Sequence, residues 1–125
     1  MSEHSEYEEN DCAYNAVSFE PSKRISFNAP FTIRQKCCIR LTNNAQHTIQ
    51  WSVRTTAQRR LYIGKKCGLL LPFHSLAISI HLIPCICSPG KFDRLTFTTA
   101  IVDEQQNLAV PTSQRRQTIL IHYNF

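Results

Sequence analysis

The segment from Trp51 to Ile63 carries the residue types that could do chemistry. Arg54 is followed by Thr55 and Thr56, and Arg59 and Arg60 come shortly afterwards. Fixed guanidinium groups beside hydroxyl donors make a surface that binds anions such as carboxylates or phosphates. Alternatively, the threonine hydroxyls bond locally within a turn and the arginines are solvated. The sequence leaves both interpretations open.

Signatures of catalysis are absent from the sequence. There is no GxGxxG, P-loop, HExxH or GxSxG, and the chain has only three glycines. Beyond residue 20 the only acids are Asp93, Asp103 and Glu104. The five histidines are scattered, and no cysteine–histidine pair has an evident third group to orient it. We therefore predict a protein that is not an enzyme and needs no cofactor.

The six cysteines predict reduced thiols and no metal site. Cys37 and Cys38 are adjacent, so on a strand they point to opposite faces and cannot grip one ligand together. Cys85 and Cys87 share a face, but two thiols without any CxxC do not make a zinc site. Cys67, in a glycine-containing loop, is the best candidate for an exposed thiol.

Charge divides the chain into two parts. Residues 1–20 hold six acids and no lysine or arginine, whereas residues 21–125 hold fourteen basic residues against three acids, a net charge of +11. Residues 1–15 are polar and without periodicity, which predicts an acidic disordered arm attached to one domain over 16–125. A basic domain attracts anionic partners such as nucleic acid, lipid headgroups or acidic peptides, although charge for solubility alone explains it equally well.

From residue 16 onward the apolar residues recur at every second position. This period is typical of strands with one buried and one solvated face, and no stretch has the 3.6-residue period of an amphipathic helix. Turn signals separate the runs. We predict an all-β fold, a two-sheet antiparallel sandwich of about seven short strands, with Trp51 as a core anchor. The clearest apolar sets are Cys37-Ile39-Leu41, Ile49-Trp51-Val53, Ile78-Ile80-Leu82, Leu95-Phe97-Thr99-Ile101 and Ile119-Ile121-Tyr123.

Nucleic-acid binding fits this pattern poorly. Stacking on bases requires exposed aromatic side chains among the basic ones. Most aromatics here lie on the apolar phase of strands, which predicts the core, and only Tyr62 beside Arg59 and Arg60 is an exception. The aromatics on the apolar phase are Phe19, Phe27, Trp51, Phe97 and Tyr123.

Targeting signals are also missing. No run of eighteen apolar residues occurs, and the first residues lack the basic and apolar regions of a secretory signal. The sequence therefore predicts a cytoplasmic protein without a transmembrane segment.

Seven short motifs follow one another in a fixed order over roughly residues 17–125. They are Ile25-Ser-Phe-Asn-Ala-Pro-Phe31, Ile39-Arg-Leu-Thr-Asn-Asn44, Val53-Arg-Thr-Thr56, Arg59-Arg-Leu61, Cys67-Gly-Leu-Leu-Leu-Pro72, Asp93-Arg-Leu-Thr96 and His122-Tyr-Asn124. In this order the motifs resemble the major sperm protein (MSP) domain family, and the nematode sperm proteins more than the membrane-anchored adapter branch, the VAP proteins. The resemblance implies a seven-stranded immunoglobulin-like sandwich related to PapD.

The resemblance implies a function through protein contacts. In sperm proteins of this type symmetric dimers assemble into cytoskeletal filaments, so the expected partners are copies of this chain or related MSP proteins. The adapter branch instead binds acidic peptides with two aromatic residues. Carried over by position, that surface is Arg54, Thr55 and Thr56 together with Arg94 and Thr96, and Arg59 and Arg60 add charge beside it.

Overall fold

The described part of the polypeptide forms ten β-strands and one short 3-10 helix, Pro111–Ser113. A computed structural model describes residues 16–103, 105 and 108–125. The predicted arm over 1–15 lies outside the described residues, as does Glu104. In chain order the strands are β1 Val17–Glu20, β2 Arg24–Asn28, β3 Gln35–Asn43, β4 Ile49–Thr55, β5 Leu61–Ile63, β6 Cys67–Leu70, β7 Ser75–Leu82, β8 Phe92–Asp103, β9 Leu108–Ala109 and β10 Arg115–Asn124.

Two sheets make up the structure. The smaller sheet has the order β1-β3-β7-β5, and the larger has the order β2-β10-β8-β4-β6, with β9 paired to the end of β8. Each of the long strands alternates buried and exposed residues, so each sheet has one apolar face. The two apolar faces pack against each other, and the predicted sandwich is confirmed.

The core consists of the alternating residues that the sequence pattern selects. Ile39 and Leu41 of the smaller sheet and Leu95 and Phe97 of the larger sheet are fully buried. Trp51 is 1% exposed, which confirms it as a core anchor. Burying a side chain of this size stabilises the fold by about 1.5–3 kcal/mol.

The arrangement differs in two details from the expected seven antiparallel strands. Short edge strands raise the count among the described residues to ten, and the chain passes from the smaller sheet to the larger one at Pro21. Proline cannot donate to a strand ladder, so the chain leaves the smaller sheet after Glu20 and joins the larger one at Arg24. There β2 runs parallel to β10, with Ile25 opposite Ile121.

One buried amide fixes the edge strand β6. The side-chain nitrogen of Asn43 donates to the carbonyl oxygens of His47, Leu70 and Leu71 at 2.8, 3.0 and 3.1 Å. Asn43 is fully buried, so these bonds satisfy a group that would otherwise be costly to bury. In the part of the chain that the structure describes, no helix is long and apolar enough to cross a membrane.

Candidate functional site

Three of the predicted site residues lie together on the outward face of the larger sheet. Arg54 on β4 is the cross-strand partner of Thr96 on β8. Arg94 precedes Thr96 by two residues and so shares its face. Arg54 and Arg94 are exposed, whereas Thr96 is half-buried between them. Strand register thus brings two cations and one hydroxyl to one patch.

The positive charge extends over the rest of this face. Arg116 on β10 lies opposite Thr98, and Arg24 on β2 lies opposite Leu120, which itself pairs with Arg94. Both of these arginines are exposed. Among the described residues of this face there is no acid. We name Arg24, Arg54, Arg94 and Arg116 the arginine face; the field of its four charges favours anions.

Thr55 and Thr56 form hydrogen bonds where β4 ends. The Thr55 hydroxyl accepts the amide N–H of Ala57 at 3.0 Å. The Thr56 hydroxyl accepts the amide N–H of Arg94 at 2.9 Å and donates to Asp93 Oδ1 at 3.1 Å. The Thr55 bond is local, as one of the two interpretations of the sequence expected, whereas the Thr56 bonds join the end of β4 to the start of β8. Their part in binding a partner stays a prediction.

Arg59 and Arg60 differ in their surroundings. Arg59 is exposed to solvent. Arg60 Nη1 lies 3.8 Å from Asp93 Oδ2, and its guanidinium carbon lies 5.8 Å from the ring centroid of Tyr123. That distance is within the range of a cation–π contact. Arg60 therefore has an anionic and an aromatic neighbour, and its charge is partly neutralised.

Asp93 is the centre of this second group. Its side chain is only 17% exposed and accepts hydrogen bonds from Thr56 and, at 2.5 Å, from the phenol of Tyr123. Burial raises the pKa of Tyr123, and the hydrogen bond and charge of Asp93 raise it further, while Arg60 opposes them. The phenol therefore keeps its proton and acts as a donor. We name Thr56, Arg60, Asp93 and Tyr123 the aspartate cluster.

Asp93 and Tyr123 were missed as site residues at the level of sequence. A signal for Asp93 exists, because it occupies the same strand phase as Leu95 and Phe97. An acid on the apolar phase at the start of a strand predicts a half-buried carboxylate that needs donors. Tyr123 likewise follows Ile119 and Ile121 on the buried phase of β10. Which residues donate to the carboxylate depends on pairing between distant strands.

Most of the predicted site residues line one of two surface recesses. One, of about 530 Å³, is lined in part by Arg54, Thr55 and Lys66. The other, of about 330 Å³, is lined by residues 56–60 and Asp93. Arg94 and Thr96 line neither recess and lie on the open sheet face. The predicted set therefore forms a surface with two shallow hollows, which suits an extended partner better than a small molecule.

Known proteins with similar sequences and folds agree with this architecture. The model of the MSP (major sperm protein) domain family matches residues 16–118. Major sperm protein isoform alpha of Ascaris suum is 33% identical over 82 residues, which cover 64% of this chain and 65% of that protein, less than two thirds of its length. A vesicle-associated membrane protein/synaptobrevin-binding protein of Aplysia californica is 29% identical over 82 residues, 66% of this chain and 32% of that protein.

A solved structure shows the same fold. SSP-19, an MSP-domain protein like family member in Caenorhabditis elegans, superposes with a TM-score of 0.68 at 16% identity and covers 86% of this chain and 99% of its own. The match over residues 16–118, which contain both the arginine face and most of the aspartate cluster, shows that the chain belongs to the MSP domain family.

Proposed function

We propose that this chain is a non-enzymatic, cytoplasmic assembly protein that dimerises and forms cytoskeletal filaments in nematode sperm. Its similarity to a major sperm protein of Ascaris suum supports the proposal. Its partners are then copies of the same chain or related MSP proteins. Filaments require two different contacts, one that closes a dimer and one that repeats between dimers.

The observation that carries self-association is a row of exposed apolar residues along edge strand β6 and the turn after it. Leu69, Leu71 and Phe73 are 60%, 53% and 66% exposed. Phe73 also has a φ of 60°, a conformation that costs a bulky residue about 1–2 kcal/mol. Because an edge strand offers unpaired backbone groups as well, this row has the character of a contact between chains.

Sedimentation over a concentration series tests the proposal. We expect the wild-type protein to dimerise with rising concentration and the double variant Leu69→Lys, Leu71→Lys to remain a monomer. Ile86→Lys is the matched control, because Ile86 is 92% exposed in the loop before β8, at the opposite end of the larger sheet from Leu69. A wild-type protein that stays monomeric at high micromolar concentration contradicts the proposal.

Electron microscopy of the same samples tests the filament itself. Filaments in the wild-type sample and none in the double variant support growth through the β6 row. Closed dimers without filaments at every concentration contradict the filament part of the proposal and leave dimerisation in place.

A second candidate function is an adapter domain that binds acidic peptides with two aromatic residues. Arg54, Arg94 and Thr96 favour it, because they meet on a face with no described acid. Thr55, Thr56, Arg59 and Arg60 adjoin that patch in the chain. An extended peptide lying from Arg94 towards the recess beside Arg54 would place its carboxylates near several guanidinium groups.

Charge-reversal variants distinguish a specific peptide site at Arg54 and Arg94 from non-specific attraction by the net positive charge. We expect Arg54→Glu with Arg94→Glu to weaken binding of an acidic diaromatic peptide at least tenfold, measured by fluorescence anisotropy. Lys36→Glu is the control, because Lys36 is exposed on the outward face of the other sheet. Unchanged affinity in the double variant, or equal loss in the control, contradicts the adapter function.

A further inference from the structure

Cys85 and Cys87 form a close pair of thiols in the loop between β7 and β8. Their sulfur atoms are 3.5 Å apart, within hydrogen-bond contact, and both side chains are half-buried against the core. A disulfide bond is about 2.05 Å long, so the two sulfurs would need to approach by about 1.5 Å to bond.

The backbone holds this loop in place beside the aspartate cluster. The amide N–H of Cys85 donates to the carbonyl oxygen of Phe31 at 3.0 Å, and that of Ile83 donates to the carbonyl oxygen of Arg60 at 2.8 Å. Burial raises the pKa of the Cys87 thiol to about 11, as does its contact with Cys85, while the nearby charge of Arg60 lowers it. The pair is therefore within electrostatic reach of Arg60, and Cys87 keeps its proton at neutral pH.

We propose that Cys85 and Cys87 are a site of reversible oxidation, at which a small disulfide such as oxidised glutathione converts the two thiols into one intramolecular disulfide. The inference is independent of the proposed function. An intramolecular disulfide needs two neighbouring thiols and cannot form from a single thiol.

The reaction balances as two thiol–disulfide exchanges. The Cys85 thiolate attacks one sulfur of the oxidised glutathione, forming a mixed disulfide and releasing one glutathione thiolate. The sulfur of Cys87 then loses its proton, attacks the sulfur of Cys85 and releases the second glutathione thiolate. The two cysteines are oxidised, the glutathione disulfide is reduced to two thiols, and the two protons pass to the released thiolates.

Both steps need a thiolate as the nucleophile, and the second step is intramolecular because the mixed disulfide on one cysteine lies beside the other cysteine. A bond between these residues would close a loop of only three residues, and restriction of the unfolded chain contributes least for short loops. The disulfide would therefore add little stability and would be readily reversed by a reductant.

Consequences of the bond would be local. The loop leads directly into Phe92, Asp93 and Arg94 at the start of β8. Joining the two sulfurs changes the side chains that lie near Arg60 without altering the strand ladder. Oxidation would thus modify the border of the aspartate cluster.

Mass spectrometry of the whole chain tests the proposal. Reduced protein is equilibrated in glutathione buffers of increasing oxidised fraction, quenched with acid and alkylated. We expect the peptide over 83–92, released by cleavage after Leu82 and Phe92, to lose two alkylation sites and the mass of two hydrogen atoms. A dithiol reductant should restore both sites. This assignment needs no variant, so it does not depend on how any substitution folds.

Variants provide the matched comparison. Cys85→Ser and Cys87→Ser should each abolish the bond, whereas Cys37→Ser and Cys67→Ser should leave it unchanged. Cys37 and Cys38 serve as an internal control, because they are adjacent in β3 and alternate between its two faces. Persistence of both alkylation sites on Cys85 and Cys87 at every buffer ratio would overturn the proposal, as would a stable mixed disulfide with glutathione in the wild-type protein.

Discussion

The arginine face and the aspartate cluster are neighbours built from the same strands, yet they use their charges differently. Arg94 and Asp93 are adjacent in β8, but alternation sends Arg94 to the open face of the sheet and Asp93 towards the interior. The arginine face has four exposed cations without a described acid. The aspartate cluster pairs its acid with a threonine, a tyrosine and an arginine.

This difference separates residues that hold the fold from residues that are free to bind. The aspartate cluster joins the turn after β4, the start of β8 and the end of β10, so its bonds connect three distant segments. Exposed arginines on a sheet face contribute little to stability but remain accessible to partners. We therefore expect substitutions in the cluster to change unfolding and substitutions on the face to change binding.

Asp93→Ala should have the largest effect on stability. It leaves the hydroxyls of the buried Tyr123 and of Thr56 without their acceptor and removes the anionic partner of Arg60. We expect the free energy of unfolding to fall by about 2–3 kcal/mol, measured by urea denaturation. Asp103→Ala is the control, because among the described residues Asp103 accepts one exposed turn amide, that of Gln105, and the change should alter stability by less than about 0.5 kcal/mol. Equal losses of free energy of unfolding in the two variants would contradict the conclusion that the aspartate cluster stabilises the fold.

Tyr123→Phe should have the next largest effect. Removing the hydroxyl deletes the 2.5 Å bond to Asp93 and should cost about 1–1.5 kcal/mol at neutral pH. Tyr62→Phe, on a half-exposed ring of β5, should cost nothing measurable. Urea denaturation of both variants provides the comparison.

The Tyr123 effect should also depend on pH. Burial and Asp93 raise the pKa of Tyr123 in the folded protein, whereas an unfolded chain releases this proton near pH 10. Above about pH 10 the unfolded state binds fewer protons, so stability falls as pH rises. The difference between wild type and Tyr123→Phe should be complete at pH 8 and shrink by pH 11. A constant difference would show that the folded phenol ionises normally.

Much of the fold is predictable from the sequence because it depends on local alternation. The period of two in β3, β4, β7, β8 and β10 selects the buried residues, and the family motifs agree with it. The short strands β5, β6 and β9 are harder to predict, since two to four residues give too little pattern. Their existence depends on neighbouring strands.

The candidate site is less predictable because its contacts join distant residues. Arg54 and Thr96 are opposite one another only through the register of β4 and β8. The bond between Tyr123 and Asp93 spans thirty positions in the chain. Nothing in the sequence distinguishes Arg59 from Arg60. The tertiary structure distinguishes them, because it places Arg60 against an acid and an aromatic ring.

That distinction leads to a smaller predicted effect. Arg60→Ala removes the contacts with Asp93 and Tyr123 and should lower the free energy of unfolding by about 0.5–1 kcal/mol, since the ion pair is partly solvated. Arg59→Ala removes an equal charge from an exposed position and should leave stability unchanged. Thermal unfolding of both variants in one buffer measures the difference. Equal stability would mean that the contacts of Arg60 contribute nothing net.

The smallest expected effect concerns the acidic residues 1–15, which carry Glu3, Glu6, Glu8, Glu9 and Asp11. We predict that these acids compete with other anions for the arginine face. Deleting residues 1–15 should therefore increase the affinity for an acidic peptide about twofold at low salt, roughly 0.4 kcal/mol. The gain should vanish at about 0.5 M salt, where exposed charges are screened.

A full-length variant with those five acids replaced by their amides separates charge from chain length. It should reproduce the gain of the deletion, because only the charge competes for the arginines. If the deletion increases affinity and the amide variant does not, the effect is steric. Equal affinity of all three proteins at low salt would mean that the arm does not reach the arginine face, and that the domain's surface alone sets the strength of anion binding.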